Sequence, residues 1–143
     1  MEIRDFLSGR HKLVIQTKAG SVVRGYLKSQ SLARGKLYVT TLESQDIAVD
    51  VEKLKAIFFV RDFDGDKKYF EQKLLEEEPE RKGLRVRIRF EDNETMEGVT
   101  DNSLELIQSP GFFFWPADAG ANNALIYIVK SALVGFKIIG VKV

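Results

Sequence analysis

Apolar and polar residues alternate along much of this chain, which is the pattern of β-strands with one buried face. The clearest run is residues 84–90, LRVRIRF, in which every second residue is apolar and every residue between is an arginine. Glycine and short polar clusters separate this run from others of similar length. We predict strands near residues 13–18, 21–28, 36–42, 46–50, 56–61, 84–90, 95–100, 104–108, 112–115, 125–129 and 134–139.

This pattern occurs twice. Residues 13–25 (LVIQTKAGSVVRG) align without a gap with residues 86–98 (VRIRFEDNETMEG), and residues 49–60 (VDVEKLKAIFFV) align with residues 128–139 (IVKSALVGFKII). The second copy has six extra residues between its two blocks, where loops tolerate insertion. The sequence therefore predicts an internal duplication of one small β-module.

Helical spacing appears in two short segments outside the strands. Ile3, Phe6 and Leu7 would share one side of a helix that ends at Gly9. Between the copies, Phe70 and Leu74 would share one side of a second helix, which Asp64 or Asp66 would cap and Pro79 would end. These features predict a first module at residues 1–62, a linker helix at 63–83 and a second module at 84–143.

The strand number and size of each module indicate its architecture. Five short strands favour a small barrel, since closure removes edges that would recruit other chains. Each module alone is near the size at which a core is marginal, so the two copies are expected to bury apolar surface against each other. We predict an all-β protein with minor helices, built as two tandem small β-barrels joined by a linker helix.

Composition excludes several classes of protein. Among 143 residues, 44% are hydrophobic and 30% charged, which is typical of a soluble globular chain. A net charge of +1 gives no overall attraction to nucleic acid or an anionic membrane. The sequence has no cysteine and no apolar run of membrane-spanning length, and we expect no signal peptide because acidic residues interrupt residues 1–10. We expect a cytoplasmic protein without a cofactor.

The order of these elements resembles the Sm-like fold of bacterial Hfq and the Sm and LSm proteins. The resemblance rests on the short helix at residues 3–7, a bent hairpin containing Val14, Ile15, Gly20 and Gly25, and a closing segment. That segment, Val129-Lys130-Ser131-Ala132-Leu133, precedes the last strand and places a basic and a small residue in the turn. The resemblance implies two Sm-like modules, RNA or protein binding, and homo-oligomers in which the final strands build a ring.

A second, shorter resemblance is to PilZ domains, which bind cyclic-di-GMP. Residues 81–85, Arg-Lys-Gly-Leu-Arg, match the Arg-x-x-x-Arg segment that precedes the barrel of those domains, and Asp101-Asn102-Ser103 begin their second motif. Guanidinium groups pair bidentately with phosphates and stack on bases. This resemblance implies a nucleotide site formed by Arg81, Arg85, Asp101 and Ser103.

Two groups of side chains are candidates for nucleic-acid binding. Arg85, Arg87 and Arg89 share one strand face at a spacing of roughly 6.5 to 7 Å, close to the phosphate repeat of a nucleic-acid strand. Lys130 and its equivalent Lys53 would add charge from the closing turns. The alternative is a solvated wall whose arginines pair with Glu91, Glu94 or Glu97.

The aromatic run at residues 112–115 could stack bases beside such a row. Alternate residues of a strand face opposite sides, however, so at least two of these rings are expected in the core and the others between the repeats.

No residue set supports catalysis or a metal site. His11 is the only histidine and has no catalytic partner at suitable spacing. Asp62, Asp64 and Asp66 surround Gly65, but this glycine is at the fourth position rather than the sixth of a calcium loop, and Lys73 occupies the twelfth position, where such a loop has glutamate. We therefore predict a non-enzymatic binding or assembly module that binds RNA or protein through its second half. The alternatives are a cyclic-di-GMP-responsive regulator and a structural ring-forming subunit.

Overall fold

A computed structural model describes residues 2–65 and 68–143 of the chain, which form an all-β protein with only short helices. The strands are β1 (Lys12–Thr17), β2 (Val22–Ser31), β3 (Lys36–Thr41), β4 (Asp46–Asp50), β5 (Leu54–Val60), β6 (Gly83–Phe90), β7 (Thr95–Thr100), β8 (Gly111–Pro116), β9 (Asn123–Val129) and β10 (Leu133–Lys142). The α-helices are α1 (Ile3–Leu7) and α2 (Glu105–Gln108), and three 3₁₀ turns lie at Leu32–Arg34, Val51–Lys53 and Lys130–Ala132.

All ten strands belong to one antiparallel sheet in the order β10-β6-β7-β8-β9-β5-β1-β2-β3-β4. The first half contributes β5-β1-β2-β3-β4 and the second half contributes β10-β6-β7-β8-β9, so the two halves have the same strand order. The halves meet where β9 pairs with β5. The outer edges of the sheet are therefore the last strand of the second half, β10, and the fourth strand of the first, β4.

The two halves also share their register. Leu13 pairs with Gly25 between β1 and β2, and the aligned residues Val86 and Gly98 pair between β6 and β7. Leu13 also pairs with Phe59 of β5, just as Val86 pairs with Ile138 of β10. The repeat seen in the sequence is thus a repeat of strand pairing.

Two apolar cores lie on opposite faces of this sheet. The first contains Leu13, Leu37 and Phe59 of the first half together with Phe113 and Tyr127 of the second. The second core contains side chains of β6, β7, β8 and β9 together with three from β5 of the first half, namely Ala56, Phe58 and Val60. Each half therefore completes its core with strands of the other half, as expected for modules too small to fold alone.

Three details differ from the sequence predictions. Residues 68–82 contain no helix; the backbone N–H groups of Gln72 and Leu75 bond to the carboxylates of Asp118 and Glu97 instead of to carbonyls one turn earlier. The predicted cap at Asp66 lies outside the described residues. Residues 104–108 are helical because the N–H of Gln108 bonds to the carbonyl of Leu104 within a turn that connects β7 to β8.

The third difference concerns the barrels. The prediction was two separate barrels, whereas the strands of both modules join one continuous open sheet. The all-β class is confirmed, and the division into two barrels is not. Among residues 2–65 and 68–143, no helix has the length and apolar character needed to span a bilayer.

Candidate interaction surface

At the junction between the halves, β9 of the second half covers β5, the last strand of the first half. Ile57 and Phe59 of β5 face the first core and are at most 1% exposed, while Phe58 on the opposite face is 6% exposed in the second core. β9 supplies Leu125 and Tyr127 beside Ile57 and Phe59. β5 is thus buried on both faces and paired along both edges.

β10 is the equivalent strand of the second half, but it has a partner on one side only. It pairs with β6, and its other edge is the end of the sheet. Phe136 and Ile138 align with the buried Ile57 and Phe59, yet they are 43% and 52% exposed, and Val134 is 53% exposed. Because none of the ten described strands covers the outer edge of β10, positions whose apolar side chains are buried in the first half reach solvent in the second.

The opposite end of the sheet, β4, is protected by charge. Asp46 accepts a hydrogen bond from Lys28 at 2.6 Å and one from Thr40, and Asp50 pairs with Lys36. Hydrogen bonds from Lys28 and Lys36 hold the pKa values of Asp46 and Asp50 below their usual range. Short strands with charged side chains are a common defence of sheet edges, and β4 has only five residues. β10 is twice as long, with ten residues, and its exposed apolar side chains flank a single exposed charge, Lys137.

The predicted arginine row lies on β6, next to β10. Arg87 donates to Glu97 at 2.6 Å and Arg85 donates to Glu78 at 2.9 Å, so two of the three arginines are engaged within the chain. In the part of the chain that the structure describes, Arg89 makes no ion pair. The pairing of Arg87 with Glu97 agrees with the alternative prediction, in which the arginines pair with glutamates of the neighbouring strand. The pairing of Arg85 with Glu78, which lies between the two halves, was not predicted.

Glycines in β10 bring two of these arginines toward the open edge. Arg85 lies across Gly140, where an added Cβ would be 3.1 Å from its Cδ, and Arg89 lies beside Gly135, where an added Cβ would be 3.5 Å from its Cβ. Within residues 2–65 and 68–143, the buried Nε of Arg85 has no hydrogen-bond acceptor. Lys137 pairs directly with Arg87 and shares this face. One face of β10 is therefore basic, and the other carries Phe136 and Ile138.

Lys53 and Lys130 occupy the turns before β5 and β10 rather than the arginine row. Lys53 is 4.0 Å from Asp50, and the ammonium of Lys130 donates to the carbonyl of Glu105 at 3.0 Å. Burial lowers the pKa of Lys130. Lys130 lines a cavity of 720 Å³ together with Arg34 and Lys36. The two lysines lie in corresponding turns but not at aligned positions, since Lys53 aligns with Ala132 and Lys130 aligns with Val51.

The four residues predicted for nucleotide binding occupy three different settings. Among these described residues only Asp101 and Ser103 bond to each other, through the N–H of Ser103 and the carbonyl of Asp101. Arg81 stacks on Trp115 with its guanidinium 3.6 Å from the ring centre, and Arg85 is held by Glu78. Asp101 and Ser103 are exposed in the connection after β7. Arg81 and Trp115 border a groove of 1550 Å³ between the linker and the sheet, whose lining mixes acidic and basic groups, and Asp101 and Ser103 are not in that lining.

The aromatic run at residues 112–115 is structural. Phe112 and Phe114 lie in the second core, whereas Phe113 and Trp115 pack on the first, which confirms the predicted division between core and inter-repeat contacts. Among residues 2–65 and 68–143, no group of histidine and acidic side chains is arranged to hold a metal ion.

The Sm-like resemblance led us to expect that the final strands build a ring, but the sequence analysis did not single out Phe136 and Ile138 of β10 as a candidate site. The signal was present in the aligned repeats: Phe58 of β5 corresponds to Lys137 of β10, and Ala56 corresponds to Gly135. A position that is apolar in one copy and charged in the other indicates different surroundings.

Comparison with known proteins adds family membership without a described activity. No curated protein matches the chain, and no solved structure matches it. A family model, described as a family of unknown function (DUF6982), matches residues 9–140. Because that match includes every strand apart from the last two residues of β10, the chain belongs to the DUF6982 family.

Proposed function

We propose that this chain is a non-enzymatic assembly module, made of two Sm-like β-modules, that joins copies of itself through the free edge of β10. The observation that carries the proposal is the contrast between two equivalent strands. β5 is covered along its edge by β9, whereas β10 has the same position in its half and an uncovered edge.

The internal junction also suggests the partner. β9 is the fourth strand of the second half, and its equivalent in the first half is β4, the other free edge of the sheet. A second copy can therefore offer β4 to β10, which makes a head-to-tail contact. Such a contact closes into a ring if the rotation between copies allows it.

Side chains at the free edges predict an association weaker than the internal junction. Covering the exposed halves of Val134, Phe136 and Ile138 contributes about 1 kcal/mol for each side chain. Lys137 stands where the internal junction has Phe58, and Asp46 stands where it has Leu125. These charges reduce the apolar area that a contact between copies buries, so we expect assembly that depends on concentration.

The other functional predictions have less support from the geometry. RNA binding by Arg85, Arg87, Arg89, Lys130 and Lys53 stays a prediction, and the ion pairs of Arg85 and Arg87 would have to be exchanged for contacts with phosphates. Cyclic-di-GMP binding by Arg81, Arg85, Asp101 and Ser103 also stays a prediction, as does a cytoplasmic location.

Light scattering coupled to size-exclusion chromatography tests the proposal. We expect the wild-type mass to rise with concentration between about 1 µM and about 1 mM, the range of moderate and weak affinities. Val134→Glu with Ile138→Glu removes apolar contact at the edge and should shift assembly to at least about tenfold higher concentration. Ile107→Glu on α2, where the side chain is 81% exposed, is the matched control and should leave the mass unchanged. A monomer throughout this range would contradict self-assembly.

A further inference from the structure

The two faces of β10 differ so strongly that they constrain any strand that pairs with its open edge. One face presents Arg89 and Lys137, with Arg85 lying across Gly140. The other face presents Phe136 and Ile138, about half exposed. Neighbouring side chains on one face of adjacent strands lie about 4.5 to 5.5 Å apart, so an added strand would meet a basic row on one face and an apolar row on the other.

We infer that β10 is a recognition edge for an extended protein segment in which acidic and apolar residues alternate. Acidic side chains of the added strand would pair with Arg89 and Lys137. Apolar side chains would cover Phe136 and Ile138. Backbone hydrogen bonds supply affinity in this mode of binding, and the alternating side chains supply selectivity.

Glycine in β10 is part of this selectivity. At Gly135 and Gly140 there is no side chain between the added strand and the arginines of β6, so the arginine side chains reach toward the edge. In the first half the corresponding strand has Ala56 at the aligned position, and β1 has Val14 where β6 has Arg87. Gln16 and Phe58 likewise align with Arg89 and Lys137, whereas Lys12 aligns with Arg85. The basic residues at positions 87, 89 and 137 are therefore particular to the second half.

Within this chain the acidic–apolar pattern occurs in β4. Residues 43–52, ESQDIAVDVE, contain four acidic residues and no basic one, and Asp46 and Asp50 alternate with Ile47 and Val49. Lys28 and Lys36 hold these aspartates within one copy, and pairing with β10 would add further cations on the same face.

The inference also fixes the register of β4 on β10. Acidic side chains reach the basic face when Asp50 lies opposite Gly135 and Val49 opposite Phe136. That register differs by one residue from the one that the β5–β9 junction would give, in which Val49 lies opposite Gly135. This inference rests on the open edge in the proposed function, but it does not require that the partner be a second copy.

Fluorescence anisotropy with labelled peptides tests it on the full chain. The probes are the peptide of residues 43–52, a charge-reversed peptide with lysine at its four acidic positions, and a rearranged peptide of the same composition without alternation. We expect the native peptide to bind about tenfold more tightly than either of the others, since two or three charge pairs of modest strength separate them. Higher salt should reduce this difference.

Variants of the basic face provide the reciprocal test. Arg89→Glu with Lys137→Glu should lose about tenfold in affinity for the native peptide and gain affinity for the charge-reversed one. Arg89→Gln with Lys137→Gln is a milder pair for use if the first does not fold. Arg4→Glu, at an exposed arginine on α1, is the control and should bind like wild type. Equal binding of all three peptides, no binding of any, or no response to the β10-face variants would overturn the inference.

The peptide and light-scattering experiments fail independently. A chain that stays monomeric but discriminates between the peptides retains the recognition edge and loses the proposal of self-assembly. A chain that assembles but binds the peptides without discrimination retains assembly and loses the recognition rule.

Discussion

Gly98→Ala is expected to destabilise the protein by about 3 kcal/mol or more, because overpacking against backbone is not relieved by a rotamer change. A Cβ at Gly98 would come closer than 3.0 Å to the carbonyl oxygen of Trp115 and to the ring of Phe114. Gly25 has the same surroundings in the first half, where a Cβ would meet the carbonyl of Thr40 and the side chain of Val39. Both glycines let the third strand of a module cross close to the second.

Urea unfolding followed by circular dichroism measures this effect, and Gly25→Ala should lower the free energy of unfolding by a similar amount. Gly9→Ala is the matched control, since the nearest atom would be 3.9 Å away and its backbone does not require glycine. If Gly98→Ala were as stable as Gly9→Ala, the close approach of β7 and β8 would be wrong. A large loss for one glycine of the pair alone would contradict the structural equivalence of the halves.

Phe58→Lys is expected to destabilise the protein by about 4 kcal/mol or more, because it removes a buried ring and places an unpaired charge in an apolar core. Phe58 is 6% exposed and packs in the second core although it belongs to the first half. Lys137, at the aligned position of β10, already carries the charge that this substitution introduces. The same residue type is thus tolerated at one end of the sheet and excluded from its centre.

The reciprocal change Lys137→Phe is the matched variant for this prediction. Its free energy of unfolding should stay near that of wild type, because position 137 is exposed at the edge of the sheet. Thermal unfolding of both variants measures whether position 58 is enclosed and position 137 is exposed. Equal stability of Phe58→Lys and wild type would show that β5 is not enclosed between the two halves.

The sequence predicted the strands well where period-two alternation is strong. All four apolar residues of 84–90 lie in one core, and the aligned blocks at 13–25 and 86–98 have the same register. Periodicity works here because each of these strands has one buried face. Helical spacing in turn predicted α1, where three apolar residues on one side of the helix pack against the first core.

The predicted linker helix failed because tertiary contacts replace its internal hydrogen bonds. Phe70 and Leu74 have helical spacing, but Phe70 is 92% exposed and Leu74 is 46% exposed, so no apolar surface receives that side of a helix. Instead, the carbonyl of Lys73 accepts from the N–H of Glu97, and Asp118 and Glu97 accept from the linker. A short helix without packing is marginal in water.

The pairing of β9 with β5, which merges the two modules into one sheet, was not predicted for a different reason. Local patterns show that β5 and β10 are strands, but they do not show which edges are paired, because pairing between β9 and β5 joins residues from separate modules. The arginine row was located correctly on one face of β6. Its orientation toward β10 depends on Gly135 and Gly140, whose role appears only when the two strands are adjacent.

Cross-linking between two labelled copies tests the central claim that β10 of one copy accepts β4 of another. Because the chain has no cysteine, Val134→Cys and Asp50→Cys can each be introduced alone and the two proteins mixed with a short bis-maleimide. The head-to-tail account predicts a cross-linked heterodimer in the mixture and little product from either variant alone. Cross-linking of Val134→Cys to itself, or no product at concentrations where light scattering shows association, would contradict it.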